Sequence, residues 1–242
     1  KDVTIRRALD AAEPKLASAF PGQPGVEAAV RTVLGDTYYY LGEPAVAVRH
    51  RERVLELRSA ELGPGHPDTL KSRTDLTLAY WAAGQVDRAI PMLERTVPEQ
   101  SARLGPEHPD TLTSQNHLAL LYQAASSFDR SIALLERTVQ ARRKVLGAEH
   151  SDTLLSQSYL ANSYRVAGRL DRALPLIERT VHSLSSSLGA DHPDTITARN
   201  TLANVHRDLG QYQRAVSIAE QTLEMGSPKL GIEHPRLQIT LS

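Results

Sequence analysis

The chain contains no cysteine, which excludes disulfides and thiolate-ligated metal sites without choosing a compartment. Aromatic side chains are scarce, with two Phe and one Trp, and small and aliphatic residues take their place. That composition suits helices packed at close range. Neither sign of charge is in excess, because 28 Lys and Arg face 28 Asp and Glu. The basic surplus through which phosphate neutralisation supplies nucleic-acid affinity is therefore missing, and no nucleic-acid partner is expected. No apolar run approaches the roughly 18 residues of a membrane span, and no signal peptide opens the chain. The expectation is no membrane insertion by this stretch and, by default, a cytoplasmic setting. Lys1 stands where Met would begin a whole protein, so a piece of something longer is expected.

Catalytic signatures are missing as well. The chain has no Gly-x-x-x-x-Gly-Lys-Ser/Thr, no His-Glu-x-x-His and no Gly-x-Ser-x-Gly. The carboxylates of Glu94-Arg95 and Glu136-Arg137 read as charges on solvent faces. The expectation is a non-enzyme with no catalytic residue and no cofactor.

What the chain does have is a period. Leu-Gly-x-x-His recurs at Leu62–His66, Leu104–His108, Leu146–His150, Leu188–His192 and Leu230–His234, each 42 residues after the last. Other columns keep the same phase. One is Leu34, Leu76, Leu118, Leu160 and Leu202. A second is Tyr38, Tyr80, Tyr122 and Tyr164, with His206 in fifth place. A third is Gly42, Gly84, Gly168 and Gly210, with Ser126 in the gap. A fourth is Ala47, Ala89, Ala173 and Ala215, with Ser131 in the gap. Such self-similarity marks stacked supersecondary units that cannot bury their apolar faces alone.

Each unit reads as two helices. In the second unit, Leu70, Leu76, Thr77 and Tyr80 place one stripe on a helix near residues 68–83. Ile90, Leu93, Val97 and Leu104 then follow at helical spacing. Gly84 supplies the turn between them, and Gly105 ends the second helix with a left-handed cap. His-Pro-Asp-Thr opens the next helix, with Pro in the first turn and Asp at the positive end. The small Ala column lies where two helices of a hairpin cross closely. Pro98 falls inside a predicted helix and removes one hydrogen bond there. Arg51 sits where other units carry Leu93, Leu135, Ile177 and Ala219, so the first unit's second helix is expected to be looser, or covered by residues 1–20.

The Leu, Tyr, Gly and Ala columns resemble the tetratricopeptide repeat. The 42-residue period and the Leu-Gly-x-x-His-Pro-Asp-Thr junction are similar to the longer version found in kinesin light chains and many bacterial proteins. The resemblance implies an all-α fold, a right-handed superhelical solenoid of helix–turn–helix repeats. Five repeats are expected at about 24–65, 66–107, 108–149, 150–191 and 192–233, after a capping helix and linker over 1–23. A further, truncated repeat would begin at 234–242. Thr4-Ile5-Arg6-Arg7-Ala8-Leu9-Asp10, with Phe20, Pro24, Glu27-Ala28 and Leu34-Gly35, also resembles the segment leading into the repeat tail of certain bacterial serine/threonine protein kinases. No kinase signature residue is present to carry that activity over.

The five junction histidines invite a zinc reading. Equivalent atoms in stacked helices lie about 10 Å apart, whereas zinc needs its ligands at about 2.0–2.1 Å. A structural role at the junction is expected, and no metal. His-Pro-Asp also occurs in the chaperone J-domain, but there once, and here three times in full at the repeat period.

The resemblance places a ligand groove on the first-helix positions that face away from the packing stripe. Its columns are Thr32, Thr74, Asn116, Ser158 and Asn200; then Asp36, Leu78, Leu120, Asn162 and Asn204; then Tyr39, Trp81, Gln123, Arg165 and Arg207. Amides donate to and accept from an extended backbone, and guanidinium holds a carboxylate in two-pronged fashion. The candidate peptide-binding residues are Tyr39, Trp81, Asn116, Gln123, Asn162, Arg165, Asn200, Asn204 and Arg207. The bland alternative is that they face water or cap neighbouring helices, with Trp81 partly in the core. The expected partner is a protein or peptide with a hydrophobic anchor and an acidic stretch, bound by a recruiting or sensory module of a larger bacterial signalling protein. The competing expectation is a structural module that joins copies of its parent by self-association.

Overall fold

The computed structural model describes residues 18–230 continuously, along with residues 7, 9, 11, 13, 14 and 16; over 226–230 it describes the backbone alone. The expected further repeat at 234–242 lies outside the described residues, as does most of the expected capping helix. Among the described residues ten helices follow one another from residue 24: α1 Pro24–Tyr40, α2 Pro44–Leu62, α3 Pro67–Ala82, α4 Val86–Leu104, α5 Pro109–Ala124, α6 Phe128–Leu146, α7 Ser151–Val166, α8 Leu170–Leu188, α9 Pro193–Asp208 and α10 Tyr212–Leu230. No strand occurs among the described residues.

The helix starts explain the junction histidines. His66, His108, His150 and His192 each accept, through Nδ1, the backbone N–H two residues on, at 3.2 Å. Each imidazole thus satisfies one of the donors that a helix leaves unpaired at its first turn. The Thr of the same motif adds a second tie, since Thr111 and Thr195 donate to the carbonyls of Gly105 and Gly189 at 2.9 and 2.8 Å.

The helix ends follow two different rules. In the turns inside hairpins, Gly84 and Gly168 have φ near +72° and +74°, and Ser126 reaches φ +57° in the same place. Its turn keeps the same bonds, Ser127 N–H to Tyr122 and Ser126 N–H to Gln123, at 2.7 and 2.9 Å. The junction glycines depart from the expected left-handed cap. Gly63, Gly105, Gly147 and Gly189 have φ of 88–107° with ψ of 151–162°, a region reached essentially by glycine alone. Helix α4 continues through both Pro91 and Pro98.

The chain divides into two compact units, Lys1–Leu121 and Tyr122–Ser242. In the first, Tyr38, Leu70, Leu76, Leu93 and Leu112 are fully buried, and in the second Leu135, Leu154, Ile177, Leu184 and Ile196 are. Each such side chain contributes about 1.5–3 kcal/mol by leaving water. Ala47, Ala89, Ser131 and Ala173 are completely buried at the helix crossings. Leu16 is buried, and Glu13 lies 3.3 Å from Arg49 and 3.7 Å from His50, so part of the leading segment touches α2. Arg51 leaves α2 unbroken, because it pairs with Asp36 on α1 and, at 3.8 Å, with Asp75 on α3.

Candidate peptide-binding faces

Two members of the Tyr column, Tyr80 and Tyr164, tie their hairpins to the preceding ones. The Tyr80 hydroxyl donates to Glu52 at 2.8 Å, and Arg88 reaches the same carboxylate at 2.8 Å. Arg88 also donates to the Tyr80 oxygen at 2.7 Å, with its guanidinium carbon 4.2 Å from the ring centroid. In the second unit Tyr164, Glu136 and Arg172 repeat the arrangement, with the guanidinium 4.4 Å above the ring. Arg130 lies over Tyr122 at 4.0 Å. Burial, and then the Glu beside it, push both Tyr80 and Tyr164 up to about 12. The expectation that Glu136 merely solubilises is corrected by these contacts, since its carboxylate anchors a buried phenol.

These clasps fix the first helices, whose remaining faces carry the candidate residues. In the first unit Tyr39 is 41% exposed and Trp81 38%. Tyr40 meets Tyr39 edge-on, with 5.7 Å between centroids. Asn116 is only 3% exposed. Thr74, in the same column, is buried too, with its hydroxyl 2.7 Å from that of Ser114. The first unit therefore presents aromatic surface, while its amide is drawn into the helix packing.

The second unit is polar. Gln123 is half-buried, and its oxygen accepts from Ser163 at 3.1 Å. Arg165 donates from Nε to the Asn162 oxygen at 3.0 Å and from Nη1 to Asp208 at 2.7 Å. Arg207 approaches the other oxygen of Asp208 at 3.4 Å. Asn204 is half-buried, and Asn200 is 6% exposed. The structure thus brings Asn162, Arg165 and Arg207 together. Asn116 and Asn200 occupy packed positions, because their column turns toward the neighbouring hairpin.

Sequence reasoning missed Asp208. A signal existed, since the 42-residue equivalents of this position are Tyr40, Ala82, Ala124 and Val166, and one acid in an otherwise uncharged column stands out. It also missed a cleft of about 970 Å³ between α6 and α8, where Leu154 and Tyr164 of α7 meet Arg143, Arg179 and His182. Its rims mix charges of both signs. No three His, Cys, Asp or Glu side chains gather as a metal site among the described residues. No helix among them is long and apolar enough to cross a membrane.

A stack of hairpins with capped junctions and accessible first-helix faces is the architecture of repeat scaffolds. The tetratricopeptide repeat pattern matches residues 26–98, 110–181 and 152–226, and the chain belongs to the tetratricopeptide repeat family. It is similar to a Podosopora anserina protein with nearly identical repeats of kinesin-light-chain kind, at 33% identity over 83% of this chain and 95% of that one, with a TM-score of 0.66. BtubC of P. vanneervenii shares the fold, at 20% identity over 97% of this chain and 92% of that one and a TM-score of 0.69. So does the apo form of RapI, at 12% identity over 100% and 88%, with a TM-score of 0.65. Among curated protein sequences none matches significantly. Repeats of this family are typically non-catalytic and mediate protein–protein interactions.

Proposed function

We propose that the chain is a non-catalytic, peptide-binding scaffold, and that it recruits partners for a larger bacterial signalling protein. The observation that carries the reading is the group in the second unit, where Arg165 and Arg207 converge on the Asp208 carboxylate and the Asn162 oxygen holds Arg165 from behind. Guanidinium and amide groups at this spacing suit the side chains and backbone of an acidic peptide. In the first unit, Tyr39, Tyr40 and Trp81 offer rigid aromatic surface of the kind that anchors an apolar side chain.

Selection from a random displayed-peptide library tests this directly. Enriched sequences should be rich in Asp and Glu with an aromatic or aliphatic residue, and the double change Arg165→Ala with Arg207→Ala should weaken their binding by roughly tenfold or more with helicity retained. Peptides without acidic enrichment, or binding indifferent to both arginines, would remove the reading. A concentration-dependent dimer in light scattering, unaffected by these changes, would favour self-assembly instead.

A further inference from the structure

We infer that Arg165, Asn162 and Arg207 form a carboxylate subsite which Asp208 fills in the free protein, and that a bound peptide enters it by displacing Asp208. This rests on the second unit's face being a ligand surface, and it adds what the ligand must offer and what it must remove. Asp208 itself demonstrates that a carboxylate fits. One oxygen receives Arg165 Nη1 at 2.7 Å and the other receives Arg207 Nε at 3.4 Å. Arg165 is oriented from behind by the Asn162 oxygen at 3.0 Å, so its plane is set before any ligand arrives.

The charge count favours exchange. Two guanidinium groups share one carboxylate, leaving a net positive charge and unused N–H donors on both arginines. Neighbouring charges are matched elsewhere, with Arg169 on Asp129 at 2.6 Å and Arg172 on Glu136 at 3.2 Å. Displacement is also easy. The side chains of Arg165, Asp208 and Arg207 are 16%, 30% and 48% exposed, so water solvates Asp208 as soon as it swings away. An ion pair so open to solvent is worth no more than about fivefold in an equilibrium constant. Asp208 therefore weakens binding of a carboxylate ligand modestly, and a neutral peptide gains nothing at the subsite because it cannot take the place of the carboxylate there.

The test uses a dye-labelled Leu-Glu-Glu-Glu-Glu peptide, as free acid and as C-terminal amide, with fluorescence anisotropy on the full chain. Asp208→Asn should bind about fivefold more tightly than the parent, the amide arm reading side-chain carboxylates and the free-acid arm adding the chain terminus. Gain in either arm supports the subsite and tells which carboxylate fills it. The gain should vanish when Arg165→Ala is combined with Asp208→Asn, as a double-mutant cycle requires of a shared contact. Asp129→Asn, which removes one negative charge from another arginine, should change affinity less than twofold.

Three results would overturn the inference: no gain in Asp208→Asn, including no binding by that variant at all; an equal gain in Asp129→Asn; or a gain that persists without Arg165. If Arg165→Ala with Arg207→Ala loses the peptide while Asp208→Asn changes nothing, displacement is wrong and the binding face stands. If that double change has no effect, both readings fall together. Far-UV helicity equal to the parent's confirms that each variant is folded.

Discussion

Two residues show how finely backbone conformation is graded along this chain. Ser126 stands at φ +57° where Gly84 and Gly168 stand near +73°, and a non-glycine residue tolerates that left-handed region at a cost of about 1–2 kcal/mol. Ser126→Gly should therefore raise stability by about 1 kcal/mol, read as a higher urea midpoint at unchanged slope. Gly105 is a different case, with φ 107° and ψ 151°. No atom lies within 4 Å of a Cβ built there, so a loss of about 1–3 kcal/mol in Gly105→Ala would be backbone strain alone. Equal midpoints for parent and both variants would refute this account of the turns. The phenols make a pH prediction. Tyr80 and Tyr164 hold their protons in the fold up to about 12, whereas an unfolded tyrosine releases its proton near 10. The folded state then binds more protons across that interval, so stability is level below pH 10 and declines toward pH 12. Tyr80→Phe with Tyr164→Phe should flatten the decline in urea midpoints taken between pH 9 and 11. A decline as steep as the parent's would show that the phenols do not cause it.

At the scale of the helix, the junction His is the informative residue. It satisfies a first-turn N–H through Nδ1, an acceptor role that Asn or Ser usually fills at this position. His108→Ala should cost about 1 kcal/mol, and His108→Asn much less, both measured by thermal unfolding; equal losses would mean the imidazole acts by packing instead. The helices themselves were legible. The stripe of Leu70, Leu76 and Tyr80 placed a helix at 68–83 against the observed Pro67–Ala82, because the period, the glycine and the proline all mark the same boundaries. The His cap was not legible, since histidine is no usual cap and only the relation of Nδ1 to Asp N–H reveals it. The Glu52–Tyr80–Arg88 clasp was hidden for another reason. Its members lie 28 and 36 residues apart on three helices, and helical periodicity within one segment says nothing of partners so distant. The candidate face was half legible. Periodicity put Asn116 and Asn200 on the same side as Arg165, but their burial is decided by packing between helices, which is a tertiary fact.

For the whole molecule, repeat architecture makes stability a sum of local terms and neighbour interfaces. A lesion at one junction should thus be felt nearby and not throughout. In hydrogen exchange, Gly105→Ala should accelerate amides of α4 and α5 and leave those of α8 and α9 at the parent's rate; uniform acceleration would indicate one cooperative block. The same architecture separates structure from recognition, because the Leu, Tyr and Ala columns hold the hairpins while the accessible first-helix positions are free to vary. The central claim is that a partner binds on those positions. A photo-reactive amino acid placed at Asn204, on α9, or alternatively at Glu178, beside the α6–α8 cleft, decides it most directly with a library-selected acidic peptide. Crosslinking from Asn204 and none from Glu178 is the predicted result, and crosslinking from Glu178 alone would contradict it.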